Sequence, residues 1–408
     1  MLSHLLRATA AFVIVAGATC LIASSADAAW PPVFTGQPAF FSVNGTSPFA
    51  TCKWHLVTSA NPFPDQNYVA SVSATSSTNA WIVGSTLDTN VGQTEPIAEH
   101  WDGHLWSTVS VPDPGPSAYF NGVVMISATD GWAVGAYYDV ISNRFHTLAE
   151  HWNGSSWTAV ATPDPGPTSQ GLSAVAADSS TDVWAVGSYK TITPGVRATL
   201  IEHWNGSSWA VVPSPNVGSL DTVFTSVVAN GRQNVWADGA SNCPTGNCRT
   251  LTERWNGIKW KIVPSPDVNA NSNPLNAMTS TAPNDIWALG DYYTGTTFNT
   301  LAEHWNGSAW TIVPSANMDL SIIVGSTSVN KNDVWAVGAW QNGSFSQPYS
   351  MNWNGTAWSS VAVPSVGSFG SFFQAASKIP GTTTVWGVGY SLNSDGSPHL
   401  TLVEKFHC

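Results

Sequence analysis

The chain has 408 residues, of which only 9% are charged, and a formal net charge of −12. Its thirteen Lys and Arg residues form no basic stripe. That excludes the phosphate-neutralising surface of a nucleic-acid binder and the polybasic patch of a protein held on anionic membranes.

Residues 1–28 read as a secretory signal peptide. Arg7 gives a weakly basic start, residues 9–23 are mostly apolar, and Ala26-Asp27-Ala28 fits a small-residue cleavage site. The apolar run is too short for a membrane span. Gly17-Ala18-Thr19 before Cys20 is a poor lipobox, so a lipoprotein is the lesser reading. The mature chain is expected outside the cytoplasm, with no membrane span. Residues 29–51 carry Pro31, Pro32, Pro38 and Pro48 and no repeat pattern, as in a spacer or a segment lying over the ring.

From residue 52 to 408 one module recurs seven times. An apolar-Trp-x-x-Gly segment is followed by Glu-His-Trp-Asn-Gly-x-x-Trp and then by Val-Pro-Ser-Pro or a variant. The first Trp of each copy is Trp81, Trp132, Trp184, Trp236, Trp287, Trp335 and Trp386, at spacings of 51, 52, 52, 51, 48 and 51. A period near 50 with several short strands per unit predicts an all-β, seven-bladed propeller with four antiparallel strands, A to D, in each blade. In the third copy the strands are Gly171–Ala177, Asp182–Gly187, Thr199–Trp204 and Ser208–Pro213, with a hairpin signal at Asn205-Gly206.

Twenty of the 22 tryptophans fall at equivalent positions. Strand B uses the seven above. Strand C uses Trp101, Trp152, Trp204, Trp255, Trp305 and Trp353, with Phe406 as the seventh. Strand D uses Trp106, Trp157, Trp209, Trp260, Trp310 and Trp358, with Trp54 as the seventh. Such rings are expected to pack blade against blade; Trp30 and Trp340 stand outside the scheme.

The chain ends on a strand C and its ordered part begins on a strand D, so the termini together complete the last blade. The alignment sets Cys408 and Cys52 side by side at the missing turn, which predicts a disulfide that closes the ring. The loop-entropy model values such a closure at roughly 5–6 kcal/mol. Cys243 and Cys248 flank one short loop and are expected to pair locally, leaving no free thiol in the mature chain.

The period, the Gly ending strand B, the aromatic ending strand C and the Trp opening strand D resemble kelch-type propellers, the fold of galactose oxidase and its relatives. The resemblance covers residues 52–408 and implies architecture. Trp-Ala-Val-Gly stands where that family has a Gly-Gly pair. Its copper radical site would need a Cys free to cross-link a Tyr, and every mature Cys here is placed in a disulfide. No cofactor and no metal are expected.

Glu99-His100, Glu150-His151, Glu202-His203 and Glu303-His304 are the most chemical-looking repeats, with Glu253-Arg254 and Glu404-Lys405 keeping the Glu and Met351-Asn352 losing both. Strand C lies third from the axis, so these groups are expected to be structural, the Glu accepting hydrogen bonds within its blade or from the next. Asp130, Asp182, Asp285 and Asp333 precede strand B and read as turn residues.

Strand alternation puts the near-constant A–B and C–D turns on one face and the variable B–C and D–A loops on the other. Variation among copies leaves room for a specific site. Tyr137, Tyr138, Tyr189, Tyr292, Tyr293, Trp340 and Tyr390 all follow a strand B Gly within three residues and are the candidate ligand-binding rings, although the same rings could simply cap strand B. The resulting expectation is a secreted, non-enzymatic module that binds a carbohydrate or an extracellular protein. A glycan hydrolase or lyase using loop carboxylates such as Asp88, Asp139 and Asp291, or a structural envelope or matrix protein, are the alternatives.

Overall fold

The computed structural model describes residues 52–408 apart from 64–65, 244–246, 319, 344 and 393–398. The leader, Cys20, the Pro-rich spacer and Trp30 lie outside the described residues.

The described residues hold 28 strands in seven antiparallel blades. The inner strands, A, are Gln66–Ser76, Tyr119–Ser127, Gln170–Ser179, Val223–Ala229, Leu275–Ala282, Ile322–Asn330 and Gly370–Lys378. They succeed one another around a central channel, and the seventh returns to the first. In the third blade the strands run Gln170–Ser179, Asp182–Lys190, Arg197–Trp204 and Trp209–Val211. Blades 6 and 7 touch through one parallel bridge, Ser346 to Gly370. Blade 7 is composite: Lys53–Leu56 pairs with Leu400–His407, Trp54 opposite Phe406. The Cys52–Cys408 disulfide seals this junction, and Cys243–Cys248 forms within its loop.

The tryptophan repeat is the seam between blades. Each strand B ring packs against the strand C and strand D rings of the next blade. Trp81 lies 4.6 Å from Trp152 and 5.3 Å from Trp157. Trp132 repeats this with Trp204 and Trp209 at 4.8 and 5.1 Å. Trp184, Trp236 and Trp287 do the same with the blades that follow them. At the composite blade Trp335 meets Phe406 at 4.3 Å and Trp54 at 5.7 Å, and Trp386 then meets Trp101 and Trp106 of blade 1. All seven strand B rings are essentially fully buried. Burying one such ring is worth roughly 4–6 kcal/mol before entropy is counted, and its edge-to-face contacts add about 0.5–1.5 kcal/mol.

The inner strands are rich in Ser and Thr because their hydroxyls latch neighbouring blades. Ser71 Oγ accepts the Val123 N–H at 3.2 Å, and Ser226 Oγ accepts that of Met278 at 2.9 Å. Thr327 does this for Lys378, and Ser377 for Ala74, which closes the circle between blades 7 and 1.

The Gly that ends each strand B motif has one cause. Every inner strand carries a β-bulge at the same rung, as between Leu172 and Ala174 or Val69 and Ser71. The bulge pushes a carbonyl against the strand B residue opposite. A Cβ on Gly187 would lie 2.1 Å from the Gly171 carbonyl oxygen, and Gly84, Gly135, Gly239, Gly290, Gly338 and Gly389 meet the same obstacle at 1.9–2.1 Å. The obstacle is backbone in a two-sided sheet and cannot step aside.

Gly187→Ala is therefore expected to cost about 3 kcal/mol or more in chemical denaturation. Gly92→Ala, on an open turn, is expected to cost about 1 kcal/mol, the conformational term alone.

Candidate functional site

The bulges also shape the channel. Each leaves one unpaired residue on the inner strand: Ala70, Asn121, Ser173, Thr225, Asn276, Val324 and Gln374. Three of them reach the next blade, Asn121 Nδ2 donating to Leu172 O, Thr225 Oγ1 to Leu275 O and Asn276 Nδ2 to Ile323 O, at 2.8–2.9 Å. All seven line a cavity of about 300 Å³ on the propeller axis. At its variable-face end stand Tyr68, Tyr119 and Tyr390, with Ser85. These tyrosines belong to three consecutive blades, 1, 2 and 7. Tyr68 and Tyr390 meet edge to face at 5.0 Å, and the Tyr68 hydroxyl bonds His399 Nδ1 at 2.8 Å. Burial pushes the Tyr119 phenol up to about 12, and it raises Tyr390 as well.

Of the seven rings singled out in the sequence, only Tyr390 lines this channel. Tyr137 packs in the seam between blades 1 and 2 and stacks on His146 at 5.5 Å. Tyr189, Tyr292 and Trp340 occupy the same position in the seams entering blades 3, 5 and 6. Tyr138 contacts Phe145 at 5.3 Å and donates to Asn143 Oδ1; Tyr293 lies against Phe298 at 5.0 Å and donates to Gly295 O. All six are half-buried and are spread over blades 2, 3, 5 and 6. Tyr68 and Tyr119 were missed. Their signal is position: the residue before the strand A apolar is Tyr in copies 1 and 2, but Gly171, Val223, Pro274 and Ile322 in copies 3 to 6.

The Glu-His repeat separates into two structural roles. Glu99, Glu150, Glu202, Glu253, Glu303 and Glu404 are fully buried, one per blade. The expectation that each accepts a hydrogen bond holds for Glu99, which takes the Ala60 N–H at 2.9 Å. It fails for Glu150, Glu253, Glu303 and Glu404, which make no hydrogen bond with any described group. The residue equivalent to Ala60, six after the strand D Trp, is Pro112, Pro163, Pro215, Pro266 or Pro364 in five other copies, and proline has no N–H to give. Desolvation accordingly raises these carboxyls, to about 8 for Glu150, Glu253 and Glu404 and about 9 for Glu303.

The strand C His crosses to the residue that opens strand B. His151 bonds Asp130 at 2.8 Å, His203 bonds Asp182 at 2.7 Å, His304 bonds Asp285 at 2.6 Å, and His100 bonds Asn79 at 2.7 Å. Asp333 accepts from Asn352 in the same way. The aspartates read as turn residues thus open strand B and tie it to strand C. Each imidazole also lies over its strand B Trp, 4.1–4.7 Å between centroids, and Arg254 and Lys405 take that place in blades 4 and 7.

The loop carboxylates are dispersed. Asp88 accepts the Asn90 N–H, and Asp139 those of Ile141 and Ser142, each within its own B–C turn. Asp291 is buried in blade 5, accepts from Asn276 Nδ2 at 2.9 Å, and is raised by desolvation to about 7. Among the described residues no three His, Cys, Asp or Glu side chains form a group that could hold a metal ion.

No protein-family model and no curated protein matches the chain. Many solved structures share its fold. YCF48 bound to D1 peptide superposes with a TM-score of 0.52 at 14% identity, covering 87% of this chain and 97% of that one. YCF48 from Cyanidioschyzon merolae gives 0.51 at 15%, over 87% and 98%. The WD40 β-propeller domain of Doa1 gives 0.52 at 10%, over 87% and 97%. At these identities the likeness is one of β-propeller fold, and it does not single out the kelch type.

The buried glutamates set the pH dependence of stability. Their folded pKa values lie above the unfolded value of 4.5, so the folded state holds protons that the unfolded state releases. The stabilisation is complete below about pH 4.5 and is lost as pH rises through 8–9. The thermal midpoint at constant ionic strength is expected to be higher at pH 5 than at pH 9, and Glu253→Gln or Glu404→Gln to flatten the decline.

Proposed function

We propose that the chain is a secreted recognition module that binds an extended, basic peptide segment of a protein partner across the variable face of blades 7, 1 and 2. The observation that carries this reading is the coincidence of an aromatic channel mouth and an acidic sector. Residues 54–189 contain twelve Asp and Glu, two of them the buried Glu99 and Glu150, and a single Lys or Arg, Arg144. That base is held by Asp164 at 3.1 Å and by the Gly166 carbonyl. On the variable face of blades 1 and 2, Asp88, Glu95, Asp113 and Asp139 have one lysine or arginine among them, Arg144 opposite Asp139, and it is turned to Asp164. The three tyrosines at the channel mouth stand in the same sector. A Lys or Arg side chain meeting those rings gains cation–π attraction, and the acidic loops steer its approach. Propeller scaffolds commonly bind proteins, and the neighbour YCF48 bound to D1 peptide supports a peptide over a glycan. The leader-like residues 1–28 support export.

Titration with a nine-residue Lys/Arg-rich peptide and its Asp/Glu-substituted counterpart tests the reading. The basic peptide is expected to bind at least tenfold more tightly at 50 mM than at 300 mM salt. Tyr390→Ala, and Glu95→Gln combined with Asp113→Asn, are each expected to weaken it about tenfold. Equal affinity for both peptides would refute the charge argument, and binding of a neutral glycan alone would favour carbohydrate recognition.

A further inference from the structure

The B–C turn of blade 2, residues 140–143, carries an arrangement that peptide recognition does not use. Ser142 Oγ lies 2.6 Å from His146 Nε2. The other ring nitrogen, Nδ1, contacts Asp164 Oδ2 from the following D–A loop. Asp164 is itself fixed by Arg144 Nη2 at 3.1 Å, while Arg144 Nη1 donates to Gly166 O at 2.7 Å. The imidazole is held flat against Tyr137. A hydroxyl, an imidazole and a buttressed carboxylate are thus joined in the order that activates a serine, an order recognised by geometry and not by sequence position.

The surroundings suit the chemistry. Ser142 is exposed, whereas the His146 side chain is only 15% and that of Asp164 27% accessible. Asp139 closes the turn through the Ile141 N–H, the Ser142 side chain and the Ser142 N–H, which hold its pKa below the usual carboxylate range, and its Oδ2 lies 3.7 Å from His146 Nε2. It is a second anion placed to stabilise an imidazolium. Asn143, the residue after the serine, sits in the left-handed region at φ 56°. Its N–H makes no hydrogen bond among the described residues, and its Oδ1 is taken by Tyr138, leaving the side-chain amide as a second donor. These are donors of the kind that bind a developing oxyanion. Ile141 and Val140 beside Ser142 are 93% and 65% exposed, an apolar rest for an acyl or leaving group.

We propose that Ser142, His146 and Asp164 form an acyl-transfer site that hydrolyses small carboxylic esters. Ser142 Oγ bonds to the ester carbonyl carbon as its proton passes to His146 Nε2. The carbon–oxygen bond to the leaving group breaks, and that oxygen takes the proton from His146. Water then attacks the acyl-serine, giving its proton to His146, which returns it to Ser142 Oγ as the carboxylic acid departs. Asp164 holds the imidazole in the required tautomer, and the Asn143 amides face the oxyanion.

The test uses the full chain with a fluorophosphonate probe and with p-nitrophenyl acetate. The probe is expected to form its adduct on Ser142, located by peptide mapping. Ser142→Ala is expected to abolish both labelling and turnover with an unchanged thermal midpoint, since the side chain is exposed. His146→Gln is expected to lower turnover at least 100-fold. An adduct elsewhere, no adduct, or Ser142→Ala hydrolysing at the parent rate would overturn the proposal. Neither result bears on the peptide titration, which reads the channel mouth.

Discussion

The seam between blades is the constraint on which the rest of the molecule depends. A four-stranded blade has two broad faces and too little of its own to cover them. Each blade solves this by placing one Trp of strand B between two rings of its neighbour, and the solution works only if every blade repeats it. The ring must then close, because an open end would leave a row of indoles in water. Closure falls to segments 356 residues apart, those of Cys52 and Cys408, joined by strand pairing, by Trp54 and Phe406 under Trp335, and by a disulfide.

The same packing fixes the freedom of everything else. The Glu of strand C is enclosed by it and is held as a neutral acid where prolines cannot donate to it. The His of strand C is spent on its own Trp and on the aspartate that opens strand B. Neither is available for a shared site. Departures from the repeat are where function can differ between blades: the tyrosines at one side of the channel mouth, the near absence of Lys and Arg in blades 1 and 2, and the Ser142 turn with its Asp164 support. All three lie on the face whose loops the fold leaves free.

Features required in every blade were legible in the sequence because seven copies state them. The Trp and Gly positions, the divided blade, and the pairing of Cys52 with Cys408 followed from counting. Features that depend on depth did not. No spacing shows that a bulge turns Asn121 and Gln374 into the channel, or that Tyr68 and Tyr119 stand at its mouth beside Tyr390. Tyr137, Tyr189, Tyr292 and Trp340 stand two residues after the strand B Gly and face a neighbouring blade, whereas Tyr390 stands one residue after it and faces the channel; grouping the rings by nearness to that Gly hid the alternation that separates them. His146 escaped notice because it lies outside the Glu-His repeat, and its partner Asp164 comes from the next loop.

Denaturant unfolding of Trp132→Ala, Trp184→Ala and Trp287→Ala, each in a different seam, tests the central claim most directly. Equivalent seams predict a loss of about 3–5 kcal/mol for each variant, with a single cooperative transition. Any one of the three unfolding within about 0.5 kcal/mol of the parent would contradict the account, since surface changes away from the packing fall in that range.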